Sequence, residues 1–134
     1  MMLKCFYKKH CLPGKYDQSV VDAFFIKYLF IPYKELVYGY DDDEEKLYIT
    51  YNVDDVDKLG DMPVTRNIWC FDKKTGERLW VIEAFSCKEA TKESGPYGGA
   101  YFDSSTGKLK VSGWNCRYDL DPETGKLSNP VFTK

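Results

Sequence analysis

The chain has 134 residues, of which 43% are hydrophobic and 16% aromatic, so it can bury one core and has the length of a single domain, residues 1–134. Its formal net charge of −2 and pI of about 5.4 disfavour a role in nucleic-acid binding. No stretch provides the roughly 20 apolar residues of a membrane-spanning helix, and the N-terminus lacks the pattern of a secretory signal, so we expect a cytoplasmic protein that does not bind membranes.

The first half of the chain predicts a short strand, one helix and an acidic hairpin. Residues 3–8 have the pattern of a strand. In residues 20–31 apolar side chains recur at helical spacing, and Pro32 ends that helix. Residues 33–40 and 46–53 are typical of two strands, and five consecutive acidic residues join them. Apolar and polar side chains alternate in the second of these strands, as they do in a half-buried strand.

The second half predicts strands throughout. A polar loop at residues 54–64 leads to strands at 67–71 and 78–85, both of which are apolar on two faces. We therefore expect these two strands at the centre of a sheet that is covered on both sides, with the helix as one cover. Residues 87–99 are polar and rich in glycine, which predicts a loop. Four further strands are predicted at residues 100–103, 108–114, 115–120 and 126–132.

The order of these elements predicts the fold class. Hairpin connections dominate, and strands do not alternate with helices as they do in parallel sheets. We expect a mainly β (α+β) protein with about eight antiparallel strands in a curled or two-layer sheet and one N-terminal helix.

A five-residue phrase, Asp-x-x-Thr-Gly, occurs three times in the second half of the chain. In such a phrase the aspartate accepts hydrogen bonds from nearby backbone N–H groups, and glycine supplies the positive φ that closes a hairpin with a bulge. We therefore predict three hairpin turns built from Asp72, Thr75 and Gly76, from Asp103, Thr106 and Gly107, and from Asp121, Thr124 and Gly125.

The segments around the first and third copies, residues 68–80 and 116–127, resemble the blade hairpins of quinoprotein-type β-propellers. This resemblance implies the hairpin geometry of the three turns. A propeller needs about 4–8 four-stranded blades, whereas blades of about 40 residues would leave room for about three. The copies also lie 31 and then 18 residues apart, without a fixed period. We therefore expect neither a closed propeller nor a quinone, and we predict no cofactor.

The sequence offers few candidates for catalysis or metal binding. His10 is the only histidine, and its neighbour Cys11 would point to the opposite face of a strand. A zinc site formed by Cys5, His10 and Cys11 lacks an evident fourth ligand. Residues 55–61 depart from a calcium-binding loop at two ligand positions. We therefore predict a protein that is not an enzyme and holds no metal, with its five scattered cysteines as free thiols.

The charge is distributed unevenly along the chain. Residues 35–61 contain ten acidic residues and two lysines, a net charge of −8, whereas the remainder carries +6. An acidic surface attracts basic proteins, and tyrosines beside it supply contact area that is buried on binding. The predicted partner-binding residues are Asp41, Asp42, Asp43, Glu44, Glu45, Asp54, Asp55, Asp57, Tyr38, Tyr40 and Tyr48.

In composition and size the chain is similar to the immunity proteins that bacteria make to neutralise secreted toxins. That similarity implies an inhibitor that occludes the active site of a basic toxin, such as a nuclease domain. Two alternatives stay open. One is a small enzyme or ligand-binding domain with a pocket near residues 87–99, and the other is a propeller-like structural fragment that self-associates through exposed strand edges.

Overall fold

A computed structural model describes residues 4–5, 18–52, 58–60, 62–83, 97–113 and 116–132. The described α-helix, α1, is Gln18–Lys27. The described strands are β1 Lys4–Cys5, β2 Val37–Asp42, β3 Lys46–Tyr51, β4 Lys58–Leu59, β5 Met62–Pro63, β6 Ile68–Asp72, β7 Arg78–Val81, β8 Gly99–Phe102, β9 Leu109–Gly113, β10 Cys116–Leu120 and β11 Leu127–Phe132. No helix in this part of the chain has both the length and the apolarity needed to cross a bilayer.

The strands form two main antiparallel sheets. The first sheet has the order β1-β2-β3-β6-β7 and the second sheet β11-β10-β9-β8, while β4 pairs with β5. The predicted class is confirmed: the protein is mainly β, with two antiparallel layers and an N-terminal helix, and the described strands close no barrel. Eight strands have four to six residues, and β1, β4 and β5 have two residues each.

Several predicted boundaries need correction. The helix expected to run to residue 31 ends at Lys27, because residues 28–30 form a turn before Pro32. The strand expected over residues 78–85 ends at Val81. The strand expected from residue 33 begins at Val37, because residues 34–36 form a 3-10 helix. Tyr33 precedes this helix with a φ of 54°, a left-handed conformation that a side chain rarely adopts. The loop expected at residues 54–64 contains the β4–β5 pair within its described part.

The first sheet is covered on both faces at β3 and β6. Of the two strands expected at its centre, β6 has a neighbour on each side, as predicted. The expectation for β7 is wrong: β7 is the last strand of the described order, and Arg78 and Leu79 at its start are exposed. On one face Leu47, Ile49 and Trp69 pack against Phe24 of α1 and against Tyr28, which directly follows the helix. The opposite face of β3 and β6 packs against the second sheet through Tyr48, Ile68 and Cys70, among others. Both apolar faces of a sheet are buried from water only if another layer of structure packs against each face. The protein therefore has three layers: helix, first sheet and second sheet.

The second sheet has one buried and one solvated face. Cys116, Tyr118 and Leu120 of β10 are buried against the first sheet, whereas Arg117 between them is exposed. This alternation is the pattern of an antiparallel strand with a single covered face. Cys70 and Cys116 lie in this core, and burial raises the pKa of Cys70 to about 12.

A buried amide also joins the two sheets. Asn67, immediately before β6, accepts a hydrogen bond from Tyr97 N–H at its Oδ1 (2.8 Å) and donates from Nδ2 to the Tyr97 carbonyl (3.0 Å). The same nitrogen donates to the Tyr51 carbonyl at 2.8 Å. A buried polar side chain is tolerated when its hydrogen bonds are satisfied, and here those bonds fix the position of the chain that enters β8.

Candidate protein-binding surface

All three Asp-x-x-Thr-Gly segments form hairpin turns. Gly76, Gly107 and Gly125 have φ values of 76°, 74° and 76°. In each turn the glycine N–H donates to the carbonyl of the aspartate that opens the phrase, at 2.8, 2.7 and 2.8 Å. Because the hydrogen bonds of each turn join residues only a few positions apart, the five-residue phrase is sufficient to specify the turn.

The aspartate and threonine side chains of the turns also form hydrogen bonds within the turns. Asp72 accepts backbone N–H groups from Lys74 (2.8 Å) and Thr75 (3.0 Å) at one carboxylate oxygen. Asp103 accepts the backbone N–H and the hydroxyl of Ser105 in the same way. These donors stabilise the charged form, so the pKa of each of the two carboxyls is lowered. The hydroxyls of Thr75, Thr106 and Thr124 each accept the N–H two residues further along. The aspartate and threonine side chains of the phrase therefore stabilise the turns.

The three turns lie at the same end of the molecule as the acidic hairpin tip. Lys73 of the first turn donates its N–H to the Glu45 carbonyl at 2.9 Å. Glu123 of the third turn forms an ion pair with Lys46 at 3.0 Å. The second turn begins directly after Phe102, whose N–H reaches the acidic hairpin. We call this surface, residues 42–46, 72–77, 103–108 and 121–126, the turn end.

Asp41 is part of the core between the sheets rather than of the surface. Only 3% of its area is exposed, and its carboxylate accepts the N–H groups of Phe102 (2.9 Å) and Asp42 (2.8 Å). A register shift between Val37 and Gly39 changes the alternation of β2, so that Asp41 faces the second sheet. The expected contact of Asp41 with a partner is corrected accordingly: this carboxylate joins the two sheets.

Asp42 and Asp43 are half-buried and have partners within the protein. Asp42 forms an ion pair with Lys73 at 2.8 Å. Asp43 accepts the N–H groups of Glu45 and Lys46 at one oxygen, which closes the hairpin tip. Its other oxygen accepts the hydroxyl of Tyr48 at 2.9 Å. Both carboxylates therefore stabilise the hairpin.

The three tyrosines expected at the interface differ in exposure. Tyr48 has no exposed area, and burial together with its bond to Asp43 raises the pKa of its hydroxyl. It lies in the core between the sheets, which removes it from the predicted contact surface. Tyr40 packs on Phe24 of the helix, with ring centroids 4.3 Å apart. Tyr38 is half-buried, and burial raises its pKa.

The exposed acids of the turn end come from the hairpin tip and from two of the turns. The hairpin contributes Glu44 and Glu45. Sequence reasoning missed the acids that the turns add, namely Glu77, Asp121 and Glu123, the last with 74% of its side chain exposed. The whole turn end contains nine acidic residues and five lysines, a net charge of −4. Each missed acid lies inside or next to a repeated phrase, which is the signal that could have found it.

The other sequence candidates lie outside the described residues. These are Asp54, Asp55 and Asp57 of the predicted interface, His10 and Cys11, and residues 87–96 of the predicted loop. Among the residues that are described, no group of histidine, cysteine, aspartate or glutamate is arranged to hold a metal ion.

Comparison with known proteins gives one match. Searches of curated proteins and of solved structures found no similar protein. Residues 49–132, which run from within β3 to the end of β11, match a family described as a domain of unknown function, DUF7957. The helix α1 and the acidic hairpin tip precede the matched residues. Because the match covers more than half of the chain, the protein belongs to the DUF7957 family.

Proposed function

We propose that this protein is a protein-binding module whose turn end binds a basic partner. We further propose that it is an inhibitor of the immunity type, which neutralises a cognate toxin by covering the toxin's active site. The observation that carries the proposal is the convergence of the acidic hairpin tip and three turns on one surface with a net charge of −4.

The turn end is suited to association because its backbone is held in place before binding. The first turn is fixed by the bonds of Asp72, and the bond from Lys73 to the Glu45 carbonyl attaches that turn to the hairpin tip. A surface that is already ordered loses little conformational entropy when it binds. The exposed acids therefore stand on a rigid frame, which favours rapid and specific association.

The acids of the turn end differ in how far they are neutralised within the protein. Lys73 offsets Asp42, and Lys46 offsets Glu123. The hydrogen bond to Glu123 raises the pKa of Lys46, which keeps that lysine charged. Within the described residues Glu44 and Glu45 form no ion pair. The same holds for the exposed Glu77 and Asp121, so these four acids should contribute most to the attraction of a cationic partner.

The test begins by capturing partners from the organism that carries the gene, with the whole chain as bait, and identifying them by mass spectrometry. Association kinetics are then compared between Glu44→Gln/Glu45→Gln and a control, Asp22→Asn/Glu35→Gln, which removes two exposed acids outside the turn end. Both variants change the net charge equally. We expect the first to associate roughly three- to tenfold more slowly and with a weaker salt dependence, as lost steering implies. Equal rates for the two variants would place the interface elsewhere.

The inhibitory role requires a separate measurement. The activity of the captured protein, for example cleavage of nucleic acid by a nuclease, is titrated with the wild-type chain. We expect activity to fall to zero at one equivalent, because a bound inhibitor covers the active site. Tight binding that leaves this activity intact would support a binding module and contradict an inhibitor. Turnover of a small substrate by the chain alone would favour the enzyme alternative.

A further inference from the structure

The strand β11 forms one edge of the second sheet. Most of its residues are exposed, including Val131 (58%) and Phe132 (55%). An exposed edge strand presents unpaired backbone groups, and a second chain can add a strand to it. What occupies this edge therefore decides whether copies of the protein can join strand to strand.

Glu83 occupies the outer edge of β11 as a neighbouring strand would. The Asp121 N–H donates to the Lys126 carbonyl at 2.9 Å, so the N–H of the next residue, Leu127, points away from β10. That outward N–H donates to the Glu83 carboxylate at 2.7 Å. The Glu83 N–H in turn donates to the Gly125 carbonyl at 3.2 Å. A parallel strand would bond the same pair of groups, the carbonyl of one residue and the N–H two residues later.

The rest of β11 is also unsuited to pairing. Pro130 has no N–H to donate to an added strand. Asn129 before it has a φ of 52°, and the pairing with β10 shifts register between Arg117 and Asp119. Prolines and bulges on edge strands disrupt the straight row of donors and acceptors that another strand needs. Glu83 and Pro130 thus act on two successive parts of one edge.

At the opposite edge of the second sheet, a carboxylate also binds an outward-pointing N–H group. The Asp103 N–H donates to the Lys108 carbonyl, so the N–H of Phe102 in β8 points away from β9. The Asp41 carboxylate accepts that N–H at 2.9 Å. On both edges, therefore, a carboxylate of the chain that forms the first sheet binds the outward N–H of the residue next to a turn.

We infer that Glu83 and Pro130 together block the outer edge of β11 and so prevent it from pairing with β11 of a second copy. This inference does not depend on the turn end or its partner. It opposes self-association through strand edges, one of the two alternatives that the sequence left open, and it leaves the turn end available for binding.

The test compares three chains by sedimentation equilibrium and by amide hydrogen exchange. They are the wild type, the double variant Glu83→Ala/Pro130→Val, and a control, Glu83→Gln/Pro130→Val, whose amide oxygen can still accept the Leu127 N–H. We expect the wild type and the control to keep the monomer mass of 15.6 kDa as concentration rises. The Glu83→Ala double variant should approach twice that mass, with the Leu127 amide protected from exchange only in the dimer.

Two results would overturn the inference. One is a wild-type chain whose β11 amides become protected as its concentration rises, because its edge would then be open. The other is a Glu83→Ala/Pro130→Val chain that keeps the wild-type circular dichroism and remains monomeric at millimolar concentration. If that variant does not fold, Glu83→Asp/Pro130→Val takes its place with the same two outcomes, since the shorter side chain withdraws the carboxylate from Leu127.

Discussion

Replacing the turn glycines by alanine separates the energy of a backbone conformation from the energy of a clash. Gly76, Gly107 and Gly125 share a φ near 75°, but their surroundings differ. A Cβ at Gly107 would meet no atom within 4 Å. Gly107→Ala should therefore show the cost of the left-handed conformation alone, about 1–2 kcal/mol of unfolding free energy.

A Cβ at Gly125 would overlap Cε3 of the Trp80 indole and would lie 2.8 Å from its Cδ2, well inside the distance of normal contact. Trp80 is buried, and its Nε1 donates to the Pro122 carbonyl at 2.8 Å, so the indole cannot move away without losing that bond. Overpacking of this kind adds about 1–3 kcal/mol to the backbone term. We expect Gly125→Ala to lower the unfolding free energy by roughly 2–5 kcal/mol in total. Gly76→Ala, which would place its Cβ 2.8 Å from the half-buried Phe30, should fall between the other two.

The variants are unfolded in urea, and unfolding is monitored by circular dichroism. The free energies of unfolding are compared between variants with equal m-values. Gly98→Ala is the control, because Gly98 lacks a left-handed φ. Its added Cβ would meet the Ser112 hydroxyl at 3.0 Å and the Ser112 carbonyl oxygen at 3.7 Å, an ordinary contact distance. This control should change the free energy by less than about 1 kcal/mol. Equal losses for Gly107→Ala and Gly125→Ala would refute the reasoning, since the clash with Trp80 would then contribute nothing.

Three further predictions concern single side chains. Asp41→Ala should lower the unfolding free energy by about 1–3 kcal/mol, because it leaves the Phe102 N–H without its acceptor. Asp41→Asn retains an oxygen that can accept this bond, so it should cost less free energy; both variants are measured by urea unfolding. Trp80→Phe removes the donor to the Pro122 carbonyl and should cost about 0.5–1.5 kcal/mol for that bond; unchanged thermal unfolding would contradict it. The pKa of Asp72 is lowered in the folded protein by N–H groups of its own turn, so its contribution is present above the unfolded pKa and is lost as pH falls through the folded value. Stability should therefore decrease from about pH 5 to pH 2, and Asp72→Asn should reduce this decrease in thermal scans.

Much of the fold could be predicted because its determinants are local or periodic. The three turns follow from the phrase itself, since Asp72 and Gly76 form their bonds within the same few residues. The two-sided burial of β6 follows from its continuous apolar sequence, because a strand with two apolar faces needs a layer on each side. The candidate surface was predicted less well. Its exposed acids at Glu77 and Glu123 come from segments distant in sequence from the acidic hairpin.

The sequence by itself determined the turns, the antiparallel class and the helix, because hydrogen bonds within a few residues and the period of apolar side chains specify them. Only the tertiary structure decided the roles of individual acids. A register shift in β2 places Asp41 between the sheets, where it binds Phe102, and folding brings Glu83 to the edge of β11. In a strand, a shift of one residue exchanges the two faces, and the partner that receives each carboxylate comes from another part of the chain. The same residue type therefore lies exposed at the hairpin tip and holds two sheets together at Asp41.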